Sequence, residues 1–583
     1  MFKKTFVILT LVFMVSILNN KSSYVYCQVV YIPLENGVYD FLERENLKGL
    51  IELNDEVKPY TRIYAAIKLI EIADAVDNRL ENEKEVVFSD VENDELNFYL
   101  REYYYEVQSL KPETIKEQNS EKSEIITDVP STDEMISLNE RRIKERWFLF
   151  SYSDSLFNLK LSPIAGYSIS FSEKGNGHSR WVGLSSYSTY SDWFGASFDI
   201  RDKGEFGETV DKDKSFSEER GAWYKSAPDG IEYSDVKGSI SFNWSWGNVS
   251  LIKDYVQWGH GEFGQLIMSD KAPSYPQLRL NLNPVSWLRF SYIHGWLNPL
   301  VLDSASFYYT YPGAPSQLLR ESYFNKYIAA NLITVTPWDR IDISAGNAIV
   351  YSGDLRPEFF IPFMFYKFLD HNTGRGDVGD GNGMLFFDLS VKYPQNFKFY
   401  STLFVDVTEI RNILENNFNN TWIGLTLGGK VVDLMLPNLD LTLEYTRINP
   451  WVYEHKDELT NYKHLDYTLG HWLGQNADQI RMEVNYQLLR GLKFMVFIER
   501  LRKGGLDDIY YAYNDIKNNG RSFLYGPLRK EYRAGLSVNY EYQHDLHIGM
   551  KYTYSDIKDE DDLRISQFND LKNILEFSIY YQL

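Results

Sequence analysis

The sequence predicts a mainly β protein: a large antiparallel transmembrane β-barrel of about 18 strands behind a small N-terminal α-helical module. Three observations carry this. The hydropathy period changes from helical to two near Trp147 and stays at two to the end. The period-two runs are about ten residues long, the length that a tilted strand needs to cross a bilayer. Finally, 16% of the residues are aromatic, 44 of them tyrosine, in an acidic chain with no later segment apolar enough for a membrane helix.

The elements follow in order. Lys3 and Lys4 precede an apolar run from Phe6 to Leu18, with polar Asn19, Asn20 and Lys21 after it. This run, about 13 residues, is short of the roughly 20 that a membrane helix needs, so residues 1–27 read as a signal peptide. Cleavage after Cys27 leaves Gln28. Tyr24, Val25 and Tyr26 stand where a lipoprotein signal wants small residues, so Cys27 is not expected to carry lipid. With the single cysteine removed, disulfides and thiolate metal sites are excluded.

Residues 28–110 have a helical period. Val38, Phe41 and Leu42 share a face that ends at Gly49; Ile63, Ala66, Ile67 and Ile70 form a second stripe entered through Pro59 and Thr61; Leu96, Tyr99, Leu100, Tyr103 and Val107 form a third. Three short helices make a modest core that needs a larger body to lean on. Residues 111–146, rich in Glu, Lys, Ser and Asn, read as a charged linker. From 147 to 583 the alternation is clear. Leu439, Leu441, Leu443 and Tyr445 interleave with Asp440, Thr442, Glu444 and Thr446, and Met482, Val484, Tyr486 and Leu488 do the same with Arg481, Glu483, Asn485 and Gln487. At roughly 24 residues per strand and connection, this region predicts about 18 strands. A soluble sandwich also alternates, but its strands are usually about five or six residues long.

The 60 basic and 81 acidic residues give a net charge of −21, which excludes a nucleic-acid partner because phosphate contacts need clustered Lys and Arg. Sugar binding needs flat aromatic faces beside carboxylates, amides and imidazoles. Three clusters offer them: Trp258, His260, Glu262 and Tyr275; Trp451, Tyr453 and His455; and His471, Trp472, Gln475, Asn476 and Asp478. An interfacial aromatic belt would explain the rings, but not the accompanying His, Glu and Asp. Arg447, Lys456, Lys463, Arg500, Arg502 and Lys503 are candidates to offset the charge of an acidic glycan, and the alternation alone leaves open whether they face outward or into the bore. Catalysis is not expected. Asp370 with His371, and His178 with Ser179, are adjacent pairs that point to opposite faces on a strand. Asp377 to Gly383 reads as a surface turn, lacking the spacing of a calcium loop, and no metal or cofactor is expected.

The stretch "QWGHGEFGQLIMSDKAPSYPQLRL" resembles a signature of the Wzi family of outer-membrane capsule assembly proteins. "YDFLERENLKGLIELNDEVKPYTRIYAAIKLI" resembles the family's helical module, and "AGNAIVYSGDLRPEFFIPFMFYKF", "LTLEYTRINPWVYEH" and "YTLGHWLGQNADQIRMEVNY" resemble later segments in the same order. The resemblance implies an outer-membrane barrel closed from the periplasm by its helices. It also implies a lectin and anchor for capsular or other exopolysaccharide, with outer-membrane lipid and polysaccharide export machinery as further partners. The alternative is a porin, and the discriminating expectation is a closed bore, blocked by the helices or by loops 203–235 and 355–385.

Overall fold

The computed structural model describes residues 30–81, 88–110, 144–311, 318–373, 381–406, 422–505, 509, 521–562, 564 and 570–582. The expected signal peptide, residues 111–143 of the linker and most of the 377–383 turn lie outside them. In the helical part, α1 spans Val38–Leu47. Its end is fixed by Gly49 at φ +74°, where Leu50 N–H donates to Glu45 O at 3.0 Å and Gly49 N–H to Asn46 O at 3.1 Å. This left-handed turn is the Schellman arrangement that glycine permits. Helix α2 spans Arg62–Glu81, burying Ile63, Ala66, Leu69 and Ala73 with Ile67 and Ile70 at the half-buried edge. The expected third helix is divided in two. Helix α3, Asp90–Glu102, starts from a Ser89–Glu92 capping box, which satisfies orphan N–H groups; Tyr103 then leaves helical geometry at φ −100°, ψ 27° and α4 resumes over Tyr104–Leu110. Tyr103 is fully buried in the module's core, so packing overrides a continuous helix there.

The barrel strands are β1 Phe157–Ser172, β2 Gly175–Tyr190, β3 Phe194–Gly207, β4 Gly230–Trp244, β5 Gly247–Asp254, β6 Tyr275–Val285, β7 Leu288–Leu297, β8 Lys326–Trp338 and β9 Ile341–Ser352. They continue as β10 Asn382–Val391, β11 Phe397–Val405, β12 Ile423–Val431, β13 Leu439–Ile448, β14 Ala477–Leu489, β15 Leu492–Lys503, β16 Arg529–Gln543, β17 Leu546–Asp559 and β18 Asn573–Tyr581. Each pairs antiparallel with its neighbours in sequence, and β18 closes on β1, giving an 18-strand ring. Several strands exceed the ten residues expected, up to 16 in β1 and β2, because they run on beyond the length needed to cross a bilayer.

The faces are inverted relative to a soluble protein. On β13, Leu443 is 49% exposed while Glu444 beside it is 2% exposed. Apolar Val182, Ile240, Ile333, Val496, Ile498 and Phe577 likewise face outward. Charged and hydroxylic groups fill the inside, as in a membrane barrel with a polar bore, and this removes the soluble sandwich.

The two rims differ. Turns 191–193, 245–246, 286–287, 339–340, 490–491 and 544–545 are short and share one rim, as do both ends of the barrel chain. Exposed Trp193, Trp246, Trp287, Trp338 and Tyr393 ring this rim, at the level where an interfacial girdle sits. The strand ends at the opposite rim are joined by the longer connections 208–229, 255–274, 298–325, 353–381, 449–476 and 504–528. The helical module packs on the short-turn rim. Arg340 Nη2 and Asn396 N donate to Leu47 O at 2.8 and 2.9 Å, Gly491 N donates to Glu95 Oε1 at 2.9 Å, and Phe98 stacks on His544 at 3.8 Å.

One long connection departs from expectation. Residues 353–373 lie on the outer wall and do not block the bore. Tyr292 and Asn331 face away from the inward side chains of Ile293 and Ala330. Tyr292 Oη donates to Phe359 O at 2.9 Å, and Asn331 Nδ2 donates to Pro362 O at 2.8 Å and Met364 O at 2.9 Å. Polar groups on a lipid-facing wall must be satisfied by protein, and this flap does so. It carries helix α5, Tyr366–Thr373, so Asp370 and His371 are helical neighbours and not the strand pair expected; Asp370 is taken up by Arg356 at 2.7 Å.

Candidate functional site

Three connections of the long-loop rim turn inward. Residues 255–274 descend until Gln257 and Trp258 pair antiparallel with Lys58 and Val57 of the helical module, and Gly259 N–H donates to Glu56 O at 2.9 Å. Residues 449–476 fold against them: Tyr453 Oη donates to Leu266 O at 2.8 Å, Trp472 Nε1 to Phe263 O at 2.9 Å, and Ser269 N to Leu469 O at 2.8 Å. Residues 208–229 are tied in by Lys271, whose Nζ donates to Ser217 O at 2.7 Å and Glu219 O at 2.6 Å as well as to Lys214 O. Burial in this cage of carbonyls lowers the Lys271 ammonium to about 8, against the pull of Glu219. The three loops thus make a plug, with the module beneath it.

Glycines set how closely the plug packs. Gly264 has φ +146°, and a Cβ there would lie 2.6 Å from His471 Nε2; at Gly470 it would lie 2.5 Å from the Tyr453 ring. Gly264→Ala adds both backbone strain and a clash, which are of order 1–3 kcal/mol each. The expected result is faster amide exchange over 255–274 with unchanged exchange in the barrel strands.

The predicted sugar-binding residues come together, but mostly as plug interior. Trp258, Tyr275, Trp451, Tyr453 and Trp472 belong to one buried cluster with Phe386, Phe404 and Trp422. Their faces are covered, Trp258 being 1% exposed, so the expectation of an open stacking surface made by them gives way to a packing role. Gln475 accepts Trp451 N–H at 2.7 Å, and Asn476 Nδ2 donates to Gly505 O at 2.9 Å. His471 is buried beneath Gly264, and burial drops its pKa to about 3. His455 is half-buried, 2.7 Å from Thr460 Oγ1. Asp478 stands apart from all of these, on the outer face of β14, where it accepts from Arg502 Nε at 2.8 Å.

His260 and Glu262 sit where plug, module and wall meet. His260 Nε2 lies 3.1 Å from Asp55 of the module, and its Nδ1 contacts Asp388 on β10. Burial acts to lower its pKa, but Asp388 and Asp55 outweigh this and push it up to about 9. Asp55 also receives Lys392 at 2.8 Å and Lys398 at 3.1 Å, while Glu43 holds Lys398 and Lys430, each at 2.6 Å. Arg289 on β7 binds Glu56 at 2.5 Å, and Arg44 of α1 reaches Asp433 and Asp440. Buried charges of this kind need complete pairing, and here the partners come from different parts of the chain. Between α1, α3 and the plug remains a polar cavity of about 460 Å³, bordered by Asp40, Arg44, Glu262, Lys430, Arg481 and Glu483.

Accessible aromatic faces lie instead on the outer rim. Trp223, 56% exposed, meets Tyr323 edge-on at 6.4 Å, joining connections 208–229 and 298–325. Tyr308 and Tyr309 stand exposed on a small hairpin with Leu319 and Arg320. Sequence reasoning missed these because none has a histidine or carboxylate next to it; the available signal was the run Arg220 to Lys225, an aromatic pair following glycine between charges.

Comparison with known proteins agrees with this architecture. No curated protein matches the sequence. A solved structure of Wzi from Escherichia coli, described as an outer membrane protein involved in group 1 capsule assembly and a carbohydrate-binding β-barrel, is 12% identical with a TM-score of 0.52, covering 96% of this chain and 100% of that one. OccD3 (OpdP) of Pseudomonas aeruginosa is 11% identical with a TM-score of 0.40 over 72% of this chain and 90% of that one. The sequence profile of the family described as capsule assembly protein Wzi matches residues 73–567. The chain is therefore a member of the Wzi capsule assembly family.

Proposed function

We propose that the protein sits in the outer membrane with its long-loop rim outward and holds capsular or other surface polysaccharide there, as a lectin-like anchor without catalysis. The observation that carries this reading is the combination of a bore filled by in-folded loops and a rim that keeps Trp223, Tyr308 and Tyr309 open to solvent. A barrel whose task is transport needs a wide path, whereas a binder needs a rigid platform. The family relationship and the carbohydrate-binding description of the E. coli protein point the same way. Residues 28–110 belong in the periplasm on this reading, since barrel termini and short turns face that side, and there the module is placed to meet polysaccharide export machinery. Residues 111–146 then link it to the barrel of 147–583.

Rings at the rim stack on the C–H faces of sugars, and weak contacts repeated along one polymer add up through multivalency. Cells lacking the protein are expected to make polysaccharide but shed it into the medium. Combined replacement of Trp223, Tyr308 and Tyr309 by Ala is expected to give the same shedding with a barrel that still migrates as a folded, heat-modifiable species. Full retention by the triple variant removes the rim from the site, and full retention by the null mutant removes the function.

A further inference from the structure

The outer wall carries a feature unrelated to glycan retention. Arg447 on β13, Asp478 on β14, Arg502 on β15, Lys530 on β16 and Lys558 on β17 are directly opposite one another in successive strand pairs, forming one transverse row. All five face away from the bore. Their neighbours on the inner face are buried: Lys503 and Arg529 pair across β15 and β16, and Arg529 binds Asp559 at 3.1 Å. The row two residues lower is Tyr445, Ile480, Arg500, Tyr532 and Asp556; the next is Leu443, Met482, Ile498, Ala534 and Tyr554. The wall therefore passes from an apolar row, through a mixed row that carries Tyr445 and Tyr532, to a charged row near the long-loop rim, the order found across a membrane interface.

Adjacent strands stand about 4.8 Å apart, and like charges directly opposite destabilise a sheet. Arg502, Lys530 and Lys558 are three such cations in succession. Asp478 neutralises Arg502 at one end, whereas Arg500, Lys530 and Lys558 have no carboxylate partner among the described residues. Beside Lys530 and Lys558 opens a cleft of about 460 Å³. Its own acids are engaged: Asp559 and Asp570 by Arg529 at 3.1 and 2.6 Å, and Glu560 by Leu528 N–H at 3.0 Å. In a chain of net charge −21, four cations set against Asp478 alone in this row leave an excess of positive charge beside the apolar wall.

We propose that this row binds the phosphate-bearing headgroups of outer-leaflet lipids, with the acyl chains lying on the apolar rows below. Lysine and arginine at such a surface attract anionic lipid individually and add along the row. The inference depends on the orientation of the rims and not on the glycan reading.

The test uses purified protein in neutral detergent micelles and a bisphosphorylated, multi-acylated glucosamine disaccharide lipid, compared with the same lipid after phosphatase treatment. Retained lipid is read by native mass spectrometry. The wild type is expected to prefer the phosphorylated form at least tenfold, and a triple variant, Arg502→Gln, Lys530→Gln and Lys558→Gln, to bind it on the order of a hundredfold more weakly. The charge-conserving set Arg502→Lys, Lys530→Arg and Lys558→Arg is expected to keep the preference. Equal binding of both lipids by the wild type overturns the proposal, and this comparison does not depend on any variant folding. Displacement of the lipid by equimolar inorganic phosphate, or by an equal charge of soluble acidic polysaccharide, also overturns it, since the row would then serve a soluble anion or a glycan.

Discussion

Trp258→Ala is expected to loosen the plug and to open the bore to ions while leaving the barrel wall intact. Trp258 is 1% exposed, lies edge-on to Phe386 at 6.3 Å, and its backbone N–H, which the substitution keeps, donates to Met268 O at 2.9 Å. Its strand pairing with Val57 joins the plug to the helical module. Removing a buried indole leaves a cavity and costs about 3–5 kcal/mol. That is a large share of the stability of any local unit, which spans from near zero to the global value. The barrel strands keep their continuous ring of hydrogen bonds, so the loss falls on residues 255–274 and 57–58. Planar-bilayer recordings check this: a nearly silent wild type and a variant with frequent conducting events are expected. A wild type with large steady conductance would falsify the closed bore and favour the porin reading. In contrast, Trp223→Ala lies at the rim and is expected to leave the recordings unchanged.

The sequence carried the barrel clearly because a membrane wall makes every strand repeat the same two-residue code, and Leu443 beside Glu444 is that code in one step. It carried the plug less well. Trp258, Trp451 and Trp472 share the composition of a sugar site, but whether a long connection rises from the rim or turns into the bore depends on contacts between segments 200 or more residues apart, such as Ser269 with Gly470 and Tyr467 with Asp213. The glycines held that information. Gly264 and Gly470 leave no room for a Cβ, which signals close packing and not merely turns. Likewise, Glu43, Asp55 and Glu56 lie in the helical module, where no period or spacing names a partner for them. Their partners, Lys398, Lys392 and Arg289, lie on the barrel wall more than 200 residues later in the chain. Only the docked module makes them pairs. The cation row was hidden for a different reason: parity within a strand separates Arg502 from Lys503, but deciding which of the two faces the bore needs the absolute register.

Raising the pH through about 9 is expected to undock the plug from the module, with His260 as the group that titrates. Its imidazolium lies between Asp55 and Asp388, with Lys392 sharing Asp55 Oδ1, Lys398 on Asp55 Oδ2, and Thr402 donating to Asp388 at 2.5 Å. Burial alone would favour neutral imidazole, but the two carboxylates raise the folded pKa from 6.5 to about 9. A raised folded value means that the folded state binds the proton more tightly than the unfolded one. The stabilisation is therefore complete below pH 6.5 and is lost as pH rises through about 9. The shift corresponds to roughly 3 kcal/mol. Asp55 behaves oppositely: burial acts to raise its pKa, but Lys392, Lys398 and His260 hold it well below its ordinary value. Its contribution is present above its unfolded pKa and fades only as pH falls through the depressed folded one. Docking is thus expected to be firm across neutral pH and to weaken on the alkaline side first. Amide exchange at residues 53–58 and 257–268, measured from pH 6 to 10 after correction for the intrinsic rate, reads the effect. His260→Gln is expected to be looser at pH 7 and to lack the alkaline step, because the amide carries no proton to lose. Protection that grows between pH 6.5 and 9 in the wild type, or an unchanged step in His260→Gln, would remove His260 from the lock.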